Sequence, residues 1–198
     1  MFFPENQVVS QNRHQIWQVG CFLPGPCVSC LHRYFVALAQ SPPFFKQALN
    51  TLDAETDYMM YEPNERIQTT NVQELKNDIV NNVICGSDFL QVAMENQKMV
   101  GYIRAERGKF NRILHTAYIV VGILKDYRGK GIGTSFFEML NCWAKKNGIK
   151  RLELTVECCN ETARYLYEKS GFKIEGTREK SMFVNGSFVD EFYMAKIL

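Results

Sequence analysis

Apolar positions along the chain fall into two rhythms. From Val72 they recur at Leu75, Ile79 and Val83, the spacing of one helical face. The same period returns from Ile132 through Phe136, Leu140 and Trp143, and Asn147-Gly148 stops it. A shorter helix is expected over NETARYLYEKSGF, with Asn160 as N-cap and Gly171 as the stop. Another is expected over SPPFFKQALNTL, with Ser41 as cap and Pro42 in the first turn. The second rhythm is that of strands. DFLQVAME and KMVGYIRAER, separated by Asn96 and Gln97, predict a hairpin. Arg112 to Leu124 is the longest β-type run, and RLELTVE alternates strictly. FKIEGTREKSMFV and SFVDEFYMAKI flank Asn185-Gly186, a strong hairpin signal. RYFVALAQ predicts an opening strand and TDYMMYEPNERIQ a loop. The order β, α, α, β, β, β, α, β, α, β, β places the chain in the α+β class. Residues 1–33 have no period and are expected to form an N-terminal extension of uncertain order. Residues 34–198 make one domain.

Composition narrows the partners. The 198 residues are 46% hydrophobic and 22% charged, enough for a full core. A net charge of +2 with no block of like charges gives no sign of a nucleic-acid arm. No apolar run reaches the roughly 18 residues that cross a bilayer, and the first residues lack the layout of a secretory signal. Seven cysteines, two of them adjacent at Cys158 and Cys159, suggest free thiols in a reducing, cytoplasmic setting. Cys21, Cys27, Cys30 and His32 crowd one short stretch, but no second half closes a zinc site, so no metal is expected.

The candidate chemistry lies at YRGKGIGTSFFEML. Gly129, Gly131 and Gly133 stand between the longest strand and an amphipathic helix. The first N–H groups of a helix lack intrahelical partners and sit at the positive end of its dipole, so bare backbone there suits a pyrophosphate. Arg128 and Lys130 add positive charge. The plain alternative is a tight turn that needs glycine for its φ angles. A P-loop is excluded because no Gly-Lys is followed by Ser or Thr, and a dinucleotide fingerprint because the glycine run is one residue short.

These residues resemble the GNAT superfamily of acetyl-CoA-dependent N-acetyltransferases. Arg128, Gly129, Lys130, Gly131, Ile132 and Gly133 fit its R/Q-x-x-G-x-G/A motif. Asn160 to Phe172 fit its N-x-x-A-x-x-L-Y-x-K-x-G-F signature without a break. The resemblance runs from about residue 34 to the end, although the front is a loose and shortened version of the family's opening strand and helix.

The resemblance implies a mostly antiparallel mixed sheet of six or seven strands flanked by helices, with two parallel strands splayed at a cofactor slot. It puts the CoA pyrophosphate on the backbone from Arg128 to Thr134 and the pantetheine along Val121, Gly122 and Ile123, with Asn160 touching the CoA chain. A bulge at Gly122 would open the slot. An N–H near Ile123 would hold the oxyanion, and Tyr167 would be the general acid, with Tyr165 as its rival on another side of the helix. Glu157 is the first candidate for general base, ahead of Glu153 and His115; the family's occasional glutamate position is Thr155 here. The acceptor would be an amino acid, a peptide or protein N-terminus or a small amine, bordered by the DYMMYEPNER loop and the last hairpin. Glu62 and Glu65 are candidates to attract it. Homodimers occur among relatives. A CoA-binding regulatory module without an acceptor site is the alternative function.

Overall fold

The computed structural model describes residues 42–84, 86–96 and 98–198. The expected opening strand, Ser41 and the Cys21, Cys27, Cys30 and His32 group lie outside the described residues.

Helix α1, Pro42–Glu55, is longer than the pattern suggests. It buries Phe45, Leu49 and Leu52, spaced to share one face. The stretch expected as a plain loop ends in a short helix, α2, Glu65–Thr69. Helix α3, Val72–Asp78, starts on an Asn71 cap and continues as a π-helical turn, Ile79–Ile84. Strands β1, Phe89–Glu95, and β2, Lys98–Arg107, form the expected hairpin. The long β-type run is shorter than its composition implies. Asn111–Ile113 is a turn of 3₁₀ helix, and β3 spans only Thr116–Ile123. Lys125–Tyr127 is a second 3₁₀ turn that leads to the glycines. Helix α4, Ile132–Lys146, strand β4, Arg151–Glu157, helix α5, Glu161–Lys169, and strands β5, Lys173–Val184, and β6, Ser187–Ile197, complete the chain. Asn185 and Gly186 both have positive φ, 49° and 81°, as the tight hairpin between β5 and β6 requires.

Among the described residues the sheet has six strands in the order β1-β2-β3-β4-β6-β5. β3 and β4 run parallel; the other described pairs are antiparallel. Alternation along β2 sends Tyr102 and Arg104 to one face, where Phe45 of α1 meets the Tyr102 ring edge-on and Asp78 of α3 holds Arg104. The other face carries α4, whose buried stripe is Ile132, Phe136, Phe137, Leu140 and Ala144. Burying a side chain such as Phe136 contributes about 1.5–3 kcal/mol. Helix α5 closes the same layer, with Tyr167, Phe137 and Phe172 packed ring against ring. Helices thus cover both faces, and the parallel pair lies mid-sheet, where its irregularity is sheltered.

Candidate active site

The parallel pair is where the sheet opens. β3 and β4 are in register only from Thr116↔Arg151 to Tyr118↔Glu153, although β3 continues to Ile123 and β4 to Glu157. Both strands stay fully paired on their outer sides, β3 with β2 and β4 with β6. The result is a fork whose inner edges carry backbone groups released from the ladder. The β2–β3 register is unbroken, so the bulge expected at Gly122 is not what opens the fork. Gly122 instead lets α1 come close. A Cβ there would lie 3.1 Å from Leu52 Cδ1 and 3.2 Å from the Tyr102 ring.

Strand geometry selects which groups face the opening. Leu124 N–H donates to Val100 C=O. In an antiparallel ladder alternate residues face the partner strand, so Gly122 turns its N–H and C=O to β2. Val121 and Ile123 turn theirs to the open side. The Arg128 guanidinium donates to Ile123 C=O at 2.9 Å and ties the turn to the strand end. That leaves the Ile123 N–H and both backbone groups of Val121 for an extended ligand.

The glycines of the turn have separate local reasons. Gly129 and Gly131 adopt φ of 71° and 85°, and no described atom lies within 4 Å of a Cβ built on either. They serve the backbone path and leave the space in front of it open. Gly133 has ordinary φ, but a Cβ there would meet Leu166 Cδ2 at 2.6 Å. It brings the start of α4 against α5. Gly131 caps α4 without a side-chain bond, and the helical ladder begins only at Ser135 N–H to Gly131 C=O. The N–H groups of Ile132, Gly133 and Thr134 therefore have no intrahelical acceptor. Lys130 Nζ sits 4.9 Å from the centroid of the Tyr127 ring beside them.

Asn160 caps α5, with its Oδ1 accepting from Ala163 N–H at 3.1 Å. That cap sets the helix phase which carries Tyr167 inward, 8% exposed, and leaves Tyr165 outside, 68% exposed. Burial, with smaller contributions from Tyr118 and Tyr102, raises the Tyr167 pKa well above that of an ordinary phenol. The hydroxyl is thus fully protonated at neutral pH, the form that can donate.

Glu157 closes β4 and is 5% exposed. Its Oε2 accepts from the Cys159 thiol at 3.5 Å, and its Oε1 finds no partner among the described residues. Burial pushes its carboxyl above the usual range. The Cys159 hydrogen bond acts the other way, and the charges of Glu191 and Asp57 add to the rise. A carboxylate so placed gains by taking up a proton or a cation.

Outside the fork mouth lies a cleft of about 460 Å³. Its walls include Glu55 at the end of α1 with Asp57 and Tyr58 just after it, Lys125 and Arg128 before the glycine turn, Glu157 at the end of β4 with Cys159 just after it, and Val184 and Val189 from the last hairpin. Asn185 Nδ2 donates to Asp57 Oδ2 at 3.1 Å and joins loop to hairpin. The loop and hairpin expected at the acceptor site do meet there.

Other sequence candidates fall elsewhere. Glu65 accepts from the Glu62 N–H at 2.9 Å and serves the start of α2. Glu153 pairs with Arg151 at 2.7 Å. His115 is exposed at the opposite end of β3, where its C=O accepts from Lys150 and Arg151. Thr155 Oγ1 lies 2.9 Å from the Tyr118 hydroxyl. Glu55 was missed, because nothing local marks an acidic helix end that only the fold brings to β4, whereas Asp57 and Tyr58 belong to the loop expected there. Among the described residues no group of His, Cys, Asp and Glu is arranged for a metal, and no helix is long and apolar enough to cross a membrane.

Comparison with known proteins agrees with this geometry. A sequence model of the acetyltransferase (GNAT) family matches residues 51–172. The L-amino acid N-acetyltransferase AaaT of Escherichia coli is 31% identical over 110 residues, 54% of this chain and 66% of that protein. N-alpha-acetyltransferase 30 of Schizosaccharomyces pombe is 30% identical over 86 residues, 43% of this chain and 57% of that one. The matches thus span just under two thirds of the first relative and somewhat more than half of the second. A Streptococcus pneumoniae acetyltransferase of the GNAT family superimposes with a TM-score of 0.75 at 26% identity, over 81% of this chain and 95% of that one. The yncA protein of Salmonella typhimurium, solved with acetyl-CoA, shares the fold with a TM-score of 0.69 at 17% identity, over 81% of this chain and 90% of that one. With more than half its length matched by the family model, and with the forked sheet and glycine turn in place, the chain belongs to the GNAT family of acetyltransferases.

Proposed function

We propose that this protein transfers the acetyl group of acetyl-CoA to a primary amine by direct attack in a ternary complex in the cytoplasm. The acceptor is an amino acid, a peptide or protein N-terminus, or a small amine. One observation carries the reading: two parallel strands release their inner edges and lead straight into a helix start with three N–H groups that have no intrahelical partner. Unpaired backbone groups at such a place are costly unless something bonds to them. A pantetheine arm pairing like an added strand, ending in a pyrophosphate at a helix N-terminus, satisfies both sets. The names of the bacterial and yeast relatives, an L-amino acid acetyltransferase and an N-alpha-acetyltransferase, support an amine acceptor.

The chain's residues take these roles. Val121 and Ile123 hold the extended arm, and Ile123 N–H faces the carbonyl oxygen as it gains charge. Ile132, Gly133 and Thr134 bind the pyrophosphate through N–H groups, with Gly129, Lys130 and Gly131 shaping and charging the turn. Arg128 locks that turn to β3, and Asn160 fixes α5 beside the arm. Glu157 removes a proton from the amine. The amine nitrogen bonds to the acetyl carbon, the carbon–sulfur bond breaks, and Tyr167 gives its proton to the departing sulfur. The second amine proton restores the phenol. An ammonium acceptor therefore yields the acetamide, CoA thiol and one proton to solvent.

Thiol release from acetyl-CoA with a panel of amines tests the reading. Turnover that falls in Tyr167→Phe while CoA still binds by calorimetry supports it. CoA binding with no turnover on any amine would instead favour a regulatory module.

A further inference from the structure

The β1–β2 turn and the glycine turn share one end of the sheet. β2 starts beside the end of β1, with Lys98 opposite Glu95, and runs on beside the end of β3, with Gly101 opposite Ile123. The 3₁₀ turn Lys125–Tyr127 follows β3 there, and Tyr127 is held from two sides. Its N–H donates to Leu124 C=O at 2.9 Å, and its hydroxyl donates to Glu95 Oε2 at 2.7 Å. Its ring, half-buried against the core, carries Lys130 Nζ 4.9 Å from the centroid. Lys130 itself is exposed and precedes α4 by two residues. Gly129 and Gly131 flank it with φ of 71° and 85°, and no described atom lies within 4 Å of a Cβ built on either. Lys125 and Arg128, the other cations of this segment, line the cleft instead.

A long lysine stem on an exposed turn samples many rotamers, and any charge contact it makes must offset that freedom. An aromatic face narrows the choice, because the ring quadrupole attracts the ammonium. A phenol that donates to a carboxylate makes a strong, short hydrogen bond, which fixes the plane of the ring and enriches its face with electron density. We infer that Tyr127, held by Glu95, is a positioning residue for the cosubstrate: its ring keeps the Lys130 ammonium beside the N–H groups that open α4, where the pyrophosphate of CoA binds. Tyr127 touches no phosphate and acts through Lys130. The inference rests on the proposed pyrophosphate site but not on the chemistry of transfer.

Calorimetry with CoA at low and high salt reads the effect in the parent, Tyr127→Phe, Tyr127→Leu, Lys130→Met and the variant carrying both Tyr127→Leu and Lys130→Met. Urea unfolding checks that each one folds. At low salt Lys130→Met should weaken CoA by about tenfold, as the loss of one charged contact to a phosphate does. Tyr127→Leu should weaken it by about two- to fivefold, the size of an exposed cation–π contact. Tyr127→Phe keeps the ring without the Glu95 bond and should fall between the parent and Tyr127→Leu. The double variant should bind no more weakly than Lys130→Met alone. Both single losses should shrink together in high salt, which screens the ammonium from the phosphates. A Tyr127→Leu loss that persists in high salt and adds to that of Lys130→Met overturns the inference, since a ring that only packs the turn acts that way. Tyr127→Phe equal to the parent removes Glu95 from the arrangement and overturns it too. The same cycle run with Tyr127→Phe decides the case where Tyr127→Leu does not fold. A parent that fails to bind CoA rejects both this inference and the proposed transfer. Coupled losses in a protein that turns over no amine keep this inference and reject the transfer, and additive losses in an active enzyme do the reverse.

Discussion

The Tyr118 hydroxyl on β3 and the Thr155 hydroxyl on β4 lie 2.9 Å apart, just beyond the last backbone pair of the two strands. Side chains take over where the ladder stops. The bond sits at the vertex of the fork and sets how far the strands part. Tyr118→Phe or Thr155→Val should each cost about 1 kcal/mol in chemical denaturation, and the double variant should lose little more than either one. Each should also raise the KM for acetyl-CoA more than it lowers kcat, because the slot loses its fixed width. Equal, additive losses with an unchanged KM would separate this bond from the slot.

Glycines 131 and 133 should behave differently, although the motif treats them alike. Gly131 needs its positive φ, so Gly131→Ala should cost roughly 1–2 kcal/mol whatever stands on α5. Gly133→Ala drives a methyl into Leu166, so its effect should depend on that side chain. A double-mutant cycle with Leu166→Ala should give a coupling of at least about 0.5 kcal/mol for Gly133 and none for Gly131.

That contrast shows what the sequence could and could not disclose. Local signals carried far: the Asn160 cap, the Asn185-Gly186 turn and the helical stripe from Ile132 all depend on neighbours within a few residues. The glycine run was visible as bare backbone between a strand and a helix, but its three members are indistinguishable without the fold, which brings Leu166 against one of them. The fork was foreseen through family resemblance, and its cause was misassigned. Strand pairing is a long-range property, and a glycine in a strand reads equally as a bulge or as room for a neighbour, here Leu52. Glu55 carried no mark at all, and Asp57 only its place in the loop expected to border the acceptor, since their meaning comes from β4 lying across from them. The β-type run is shorter in the fold because Arg112 to His115 has the composition of a strand but, among the described residues, no partner strand beside it.

The loop that walls the cleft hangs on a buried ion pair. Asp53, 1% exposed, accepts from Arg66 Nε at 2.6 Å and Nη2 at 3.0 Å, and the guanidinium covers the Tyr61 ring at 4.1 Å. Arg66→Met strands the Asp53 carboxylate in the core and should cost about 3–5 kcal/mol. Pairing it with Asp53→Leu should restore part of the loss. Thermal melts of the two single variants and the double give the comparison, and a single-variant loss that the double does not relieve would contradict it.

Glu157 should trade stability for activity. Its carboxyl pKa is raised by burial, against the Cys159 bond, and by the neighbouring carboxylates. Between its unfolded and folded pKa values the native state holds more protons than the unfolded one, so stability falls as pH rises through that window. What the protonated form contributes is fully present below the unfolded pKa and lost above the folded one. Glu157→Gln keeps the shape without the charge. It should be more stable than the parent at neutral pH, with the difference vanishing in acid below the ordinary glutamate range. Turnover should fall by about 10²-fold or more if the carboxylate removes the amine proton. Urea unfolding at acid and neutral pH beside a kcat/KM profile reads both effects on the same samples. A variant that is less stable at neutral pH than the parent would mean that Glu157 has a favourable partner in the folded protein, and the cleft would then lose its free carboxylate.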